Sequence, residues 1–322
     1  MVLVRLFVVT LVIAPMSIPA QSADQQLCDR LATQSTRAQY RPQAEARIAS
    51  GGAAADFFRG CLAWDEDKSD ASIAFFEAAT KGANPTSDYF LWLGNAYGVK
   101  AQRANVLSQA RLARKTKAAF DRAVELDPDN IAARDGLMQY YLQAPGVMGG
   151  SMTKADEQAR AIKQRNAYRG GFALASIAGR QKDGARAERE LRELVASYPD
   201  SVDALTSLVS VLGQRAQWSE AWRALDGAKG RSVATHPRYS YATGRLAALS
   251  GEQLERGEAA LTAYLRLPPV RGNPSLSGAQ LRLGQIYEKM GKPDQAKVAY
   301  RTAVTLDPRN EDAKKALKGV GG

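Results

Sequence analysis

The strongest constraint on this chain is a spacing that recurs along it. Aligned on the inward small or apolar position of each second helix, the units place that position at 78, 123, 162, 194, 228, 264 and 303. The intervals are 45, 39, 32, 34, 36 and 39 residues, a common length with additions at identifiable places. In the best-ordered copy, residues 277–310, Leu283, Gly284 and Tyr287 share one face of a first helix. Ala296, Tyr300 and Ala303, four and then three residues apart, share one face of a second. Gly291 separates the two helices and Pro308 stops the second. One such hairpin cannot bury its apolar face alone, so neighbouring copies must stack.

These positions resemble the tetratricopeptide repeat, and residues 277–310 fit that family without a gap. The resemblance implies an all-α fold: a right-handed α-α superhelix of about seven helix pairs, several degenerate, with a C-terminal capping helix. The organisation read from the chain is a signal peptide at 1–20, N-terminal helices at 21–52, a repeat array at 53–310 and a capping helix at 311–322. Composition agrees. A doubly wound α/β chain needs short Val/Ile-rich runs between helices, and none follows the first twenty residues. The length of 322 residues requires no second core, because an array grows by adding units.

The copies differ in detail. In the first, Phe57, Phe58 and Leu62 are expected to point inward from one helix, and Ala71, Phe75 and Ala78 from the other. The next matches the template at both ends, through Leu93, Gly94 and Tyr97 and then Phe120, Ala123 and Pro128. Gly94 to Phe120 spans 26 residues, however, where Gly284 to Tyr300 spans 16. The extra residues lie around 101–111 without proline or glycine, which predicts a hairpin whose two helices are each longer by over one turn. In the third copy Leu137 and Tyr141 are followed by Ala155, Ala159 and Ile162, and the usual short turn is replaced by residues 143–151. Gly149-Gly150 permits a tight path there, and Ser151 or Thr153 can cap the next helix. A glycine pair before a helix can also hold an anion, but this one lacks the lysine and spacing of a phosphate loop, so packing is the better explanation. Similar Pro-Gly…Gly-Gly-Ser segments occur in exported bacterial tetratricopeptide proteins. Three further copies run from Tyr168, Val202 and Pro237, and Pro268, Pro269 and Pro274 make a stiff link before the last.

The N-terminus has the layout of a secretory signal peptide: Arg5, an apolar run from Leu6 to Ile13, and cleavage expected after Ala20 or, second, Ala23. An uncleaved anchor is the alternative, and Pro15 and Pro19 leave the run short of a bilayer span. Cys28 follows Gln25-Gln26-Leu27 and not the small-residue box of a lipoprotein. The mature chain is therefore expected in a bacterial periplasm. In an oxidising compartment the two cysteines, Cys28 and Cys61, are expected to pair and staple the first helices; two free thiols are the alternative. The net charge of +11 falls to +10 without Arg5. Its basic residues are spread along helices and interleaved with acids, as in Arg186, Glu188, Arg189, Glu190 and Arg192. That reads as a solvated face with weak attraction to anionic envelope components, and export argues against nucleic acid as a partner.

No catalytic set emerges. The lone histidine, His236, stands before Pro237 in a turn, and paired carboxylates such as Asp65 with Asp67 or Glu188 with Glu190 sit on polar faces or links. No enzyme activity, metal or cofactor is implied. The candidate partner-binding surface is the face of the first helices, where spacing selects Asp88, Leu91, Asn95, Asp135, Gln139, Arg169, Phe172, Ser176, Asp203, Thr206, Ser210, Leu281 and Gln285, with Tyr140 beside them. Some tetratricopeptide domains clamp a peptide carboxylate with lysine and asparagine. Asn95 stands where that asparagine would, but Leu91 holds the lysine's place, so the clamp is not expected. Tyr97 and Tyr141 occupy the family's packing position, whereas Trp92 and Tyr140 could be core or an aromatic cradle. The leading expectation is a non-catalytic periplasmic scaffold for a protein or peptide partner, in envelope assembly or secretion. The alternatives are a ligand-binding component like the helical-repeat partner of tripartite (TRAP) periplasmic transporters, and a self-associating spacer.

Overall fold

The computed structural model describes residues 22–33, 35–65 and 69–320, all of them in helices, turns and links with no strand among them. The expected signal peptide and Asp67 lie outside the described residues. The chain forms two compact units, Met1–Asn166 and Ala167–Gly322.

In the first unit, α1 (Ala23–Leu31) and α2 (Arg37–Ala49) precede three hairpins. These are α3 (Gly52–Asp65) with α4 (Ser69–Lys81), α5 (Ser87–Gln102) with α6 (Val106–Leu126), and α7 (Ile131–Gln143) with α8 (Met152–Arg165). Each second helix also packs on the first helix of the next hairpin, as α4 does on α5 and α6 on α7. The second unit repeats the plan: α9 (Ala167–Arg180) with α10 (Gly184–Ser197), α11 (Val202–Gln214) with α12 (Trp218–Asp226), α13 (Pro237–Ser250) with α14 (Leu254–Leu265), and α15 (Leu276–Lys289) with α16 (Pro293–Leu306). The short α17 (Glu311–Gly319) covers the last hairpin, burying Ala313 beside Leu281, Tyr300 and Ala303. Seven hairpins and a closing helix are thus described, as the repeat predicts.

The hairpins close on glycine. A Cβ added at Gly284 would lie 2.4 Å from the Tyr300 ring, and one at Gly94 would lie 2.6 Å from Phe120. Only a residue without a side chain lets the second-helix aromatic seat on the first helix there. A polar latch accompanies the same two hairpins. Ser277 donates to the Ala303 carbonyl at 2.8 Å and accepts from Asn310 at 2.9 Å. Ser87 donates to the Ala123 carbonyl at 2.8 Å and accepts from Asn130 at 3.0 Å. Each asparagine also caps the following helix, accepting from the Ala313 or Ala133 amide at 3.0 Å. The sequences Leu-Asp-Pro-Asp-Asn and Leu-Asp-Pro-Arg-Asn that end α6 and α16 therefore stop one helix, start the next and tie both to the hairpin's first turn.

Two expectations need correction. In α4 the inward residues are Ile73, Phe76 and Ala79, while Ala78 is exposed and Phe75 only half-buried. The stripe is one residue later because Phe76 seats on Gly60, where an added Cβ would meet its ring at 2.5 Å. The long hairpin is also unequal. α5 has 16 residues and α6 has 21, against 14 each for α15 and α16, so most of the insertion extends the second helix. The turn falls early because Asn105 caps α6, accepting from the Ser108 amide at 3.0 Å.

A disulfide joins Cys28 of α1 to Cys61 of α3, with Cα atoms 5.6 Å apart. The 143–151 segment becomes a single 3-10 turn at Gly146–Met148 followed by Gly149 at φ +88°. Ser151 then caps α8, accepting from the Lys154 amide at 3.3 Å. This segment is built by packing: a Cβ at Gly150 would stand 1.8 Å from the Ala144 carbonyl oxygen.

Candidate partner-binding surface

Within each unit the first helices of successive hairpins lie side by side, α5 with α7 in one and α11 with α13 and α13 with α15 in the other. Their shared outward face is set by a pair of positions four residues apart. In the first unit these are Leu91 and Asn95 on α5 and Asp135 and Gln139 on α7. In the second they are Phe172 and Ser176 on α9, Thr206 and Ser210 on α11, Tyr241 and Arg245 on α13, and Leu281 and Gln285 on α15.

Burial divides the expected surface. Asn95, Asp135, Gln139, Phe172, Thr206, Ser210 and Gln285 are half-buried, and Arg169 and Ser176 are exposed. Leu91, at 4% exposure, is withdrawn from that surface. One turn before it, the Asp88 carboxylate is buried and accepts hydrogen bonds from Ser22, at the start of α1, and from Asn130 at 3.1 Å. The N-terminal segment thus takes up this end of the face. Burial holds the Asp88 carboxyl above its ordinary range despite those hydrogen bonds. Leu281 is withdrawn too, packed under α17. Tyr140 is buried for another reason: its hydroxyl donates to the Met148 carbonyl at 2.5 Å and closes the 3-10 turn. Trp92 is core as well, edge-on to Trp64 with ring centroids 5.8 Å apart. The aromatic cradle is not formed.

The second unit carries residues that the sequence reading passed over. Arg238, Tyr241 and Arg245 lie half-buried on α13, of which the sequence reading named only the start at Pro237. The signal was present, since Arg245 follows Gly244 as Gln285 follows Gly284. Arg238 pairs with Asp203 of α11. Arg245 donates to the Ser210 hydroxyl at 3.3 Å, and Arg282 donates to the Gln285 side-chain oxygen at 2.9 Å. Among the described residues neither Arg245 nor Arg282 has a carboxylate partner. Burial, and then the neighbouring Arg282 charge, hold the Arg245 guanidinium below the usual arginine range. Beside them an open cavity of about 490 Å³ is lined by Ala248, Leu249, Gln285, Glu288 and Lys289. A smaller one, about 220 Å³, is lined by Arg192 and Arg223 among others. Two of its arginines are neutralised, Arg192 by Glu188 and Glu220 and Arg223 by Glu220, while Arg231 donates to the Pro199 carbonyl at 3.4 Å.

The remaining polar groups have structural roles. His236 caps α13, its Nδ1 accepting from the Arg238 amide at 3.2 Å. Among the described residues no three His, Cys, Asp or Glu side chains gather as metal ligands would, and no helix is long and apolar enough to cross a membrane.

The sequence profile of the family described as tetratricopeptide repeat matches residues 278–310, the best-ordered hairpin. No curated protein matches the sequence. Among solved structures, a tetratricopeptide repeat protein from Parabacteroides merdae ATCC 43184 superposes with a TM-score of 0.53 at 14% identity, over 84% of this chain and 99% of that one. The pilF protein of Pseudomonas aeruginosa superposes with a TM-score of 0.51 at 10% identity, over 83% of this chain and 97% of that one. At such identities the likeness is one of fold. Residues 278–310 thus match the tetratricopeptide repeat by sequence, and the recurring glycine-on-aromatic hairpins give the chain the helical-repeat fold of these structural neighbours.

Proposed function

We propose that this protein is a non-catalytic periplasmic scaffold of envelope assembly or secretion, which holds a protein partner on the first-helix face of its second unit. The observation that carries the reading is the composition of that face. Phe172 and Tyr241 offer apolar area, and Ser176, Ser210, Arg245 and Gln285 offer hydrogen-bonding groups in a parallel row one turn away. Aromatic anchors beside a polar row, with arginine among them, suit the recognition of a peptide or a protein surface. The periplasmic part of the proposal rests on the signal-peptide layout of residues 1–20 and on the disulfide between Cys28 and Cys61, a bond that persists in oxidising compartments.

The test is photocrosslinking in cells. A crosslinking amino acid at Ser176 or Ser210 should capture one protein in fixed proportion in the periplasmic fraction. The same group at Val298 or Arg301, on the exposed side of α16, should not. Equal capture from both sides, or recovery of the mature chain only in the cytoplasm, would overturn the proposal.

A further inference from the structure

We propose that Arg245 and Arg282 form the recognition point of this face for an acidic side chain of the partner, so that the ligand class is an Asp- or Glu-bearing segment. This deepens the scaffold reading and rests on it.

The charge environment of Arg245 and Arg282 differs from that of the ion-paired arginines, although Arg134 and Arg231 also hydrogen-bond only to neutral oxygens. The protein's arginines are commonly neutralised within or between helices, as Arg192 is by Glu188, Arg215 by Glu188, Arg165 by Asp129 and Arg256 by Asp226. On the same face Arg238 is neutralised by Asp203. Arg245 and Arg282 meet only neutral oxygens, those of Ser210 and Gln285. They repel each other across adjacent first helices, and Arg245 is partly withdrawn from water. Two like charges held together and partly desolvated with no counter-ion are costly in the free protein. A carboxylate set between them relieves both costs and accepts charge-assisted hydrogen bonds from the two planar forks.

The site favours an internal acidic side chain over a chain end. The site spans α13 and α15, and the first-helix face runs on from α13 to α11, leaving room for a segment to continue past it. The protein's net charge of +11 adds long-range attraction for an acidic segment. This is not the lysine-and-asparagine clamp considered for Leu91 and Asn95, which lies in the first unit and lacks its lysine.

The test uses the full mature chain and three labelled peptides of about twelve residues, read by fluorescence anisotropy at about 0.05 and 0.15 M salt. The first alternates glutamate with alanine and is C-terminally amidated. The second replaces glutamate by glutamine. The third is the glutamine peptide with a free C-terminus. The expected result is binding of the first alone, weakened about tenfold by either Arg245→Gln or Arg282→Gln and further by both. A control with equal charge loss, Arg266→Gln with Arg301→Gln, should change affinity less than about twofold. Circular dichroism confirms that every variant is folded, and Arg245→Lys with Arg282→Lys should bind better than the glutamine pair but more weakly than the native chain. Absence of binding by the glutamate peptide, equal binding by the glutamine peptide, a requirement for a free C-terminus, or an unaffected double variant would each overturn the inference. The scaffold reading fails separately. If Ser176 or Ser210 captures a partner whose yield ignores the Arg245→Gln and Arg282→Gln changes, the face stands and the acidic ligand does not.

Discussion

Two glycines one turn apart in α5 should respond to alanine with opposite signs. Gly94 faces Phe120, and an added Cβ would lie 2.6, 2.7 and 3.1 Å from three ring atoms. The ring cannot retreat, because Gly136 of α7 meets it from the next hairpin with corresponding distances of 2.7, 2.9 and 3.0 Å. Phe120 is 5% exposed and wedged between two backbones, so Gly94→Ala overpacks the site. Overpacking of this kind costs about 1–3 kcal/mol, against which alanine's better helix propensity returns about 1 kcal/mol. The net expectation for Gly94→Ala is a loss of up to about 2 kcal/mol. At Gly98 the nearest atom to an added Cβ is Thr116 Cγ2 at 3.7 Å, an ordinary contact. Gly98→Ala should therefore gain up to about 1 kcal/mol from propensity alone. Urea unfolding followed by far-ultraviolet circular dichroism separates the two, and Phe120→Leu in the Gly94→Ala background should recover part of the loss. If Gly94→Ala proves as stable as Gly98→Ala, the glycine-on-aromatic account of the hairpin is wrong.

Other expectations follow from the first unit. Cys28 and Cys61 are 33 residues apart, and closing a loop of that length restricts the unfolded chain by about 3–4 kcal/mol; replacing both by serine should lower the stability of this unit by that order, read by urea unfolding in non-reducing buffer, and leave the α9–α17 unit unchanged. Asp88 has its carboxyl raised by burial above the ordinary 3.8, so the folded state holds that proton more tightly than the unfolded state does. This contribution to stability is present below the unfolded value and is lost as pH rises through the folded one. Asp88→Asn should accordingly be more stable than the native chain near pH 7, with the advantage shrinking as pH falls toward about 3; an advantage that is independent of pH would refute it.

Much of the fold was legible because the repeat places unlike residues at fixed offsets. Gly284 with Tyr300 and Gly94 with Phe120 each name a contact, and Pro128 and Pro308 each end a helix. The first hairpin was harder because Phe75-Phe76 and Ala78-Ala79 offer two registers one residue apart, rotated by about 100° on a helix. The deciding signal was Gly60, which precedes Phe76 by the same 16 residues that separate Gly284 from Tyr300. The unequal lengths of α5 and α6 were hidden because no proline or glycine marks their turn; the cap residue Asn105 does. Periodicity selected the candidate face but not its burial. Leu91 and Leu281 have the right phase but are buried, Leu281 under α17, while the N-terminal segment bonds Asp88 one turn before Leu91. Arg245 has the right phase too, but its importance lies in what it lacks on α11 and α15, and only the packed structure brings those neighbours together.

The central claim is that the first helices of the second unit carry binding and the second helices carry only packing. Hydrogen–deuterium exchange of the chain with and without its crosslink-identified partner addresses this directly. Protection added on α11, α13 and α15, with α12, α14 and α16 unchanged, is the predicted result. Protection confined to the second helices, or spread evenly over both, would contradict it.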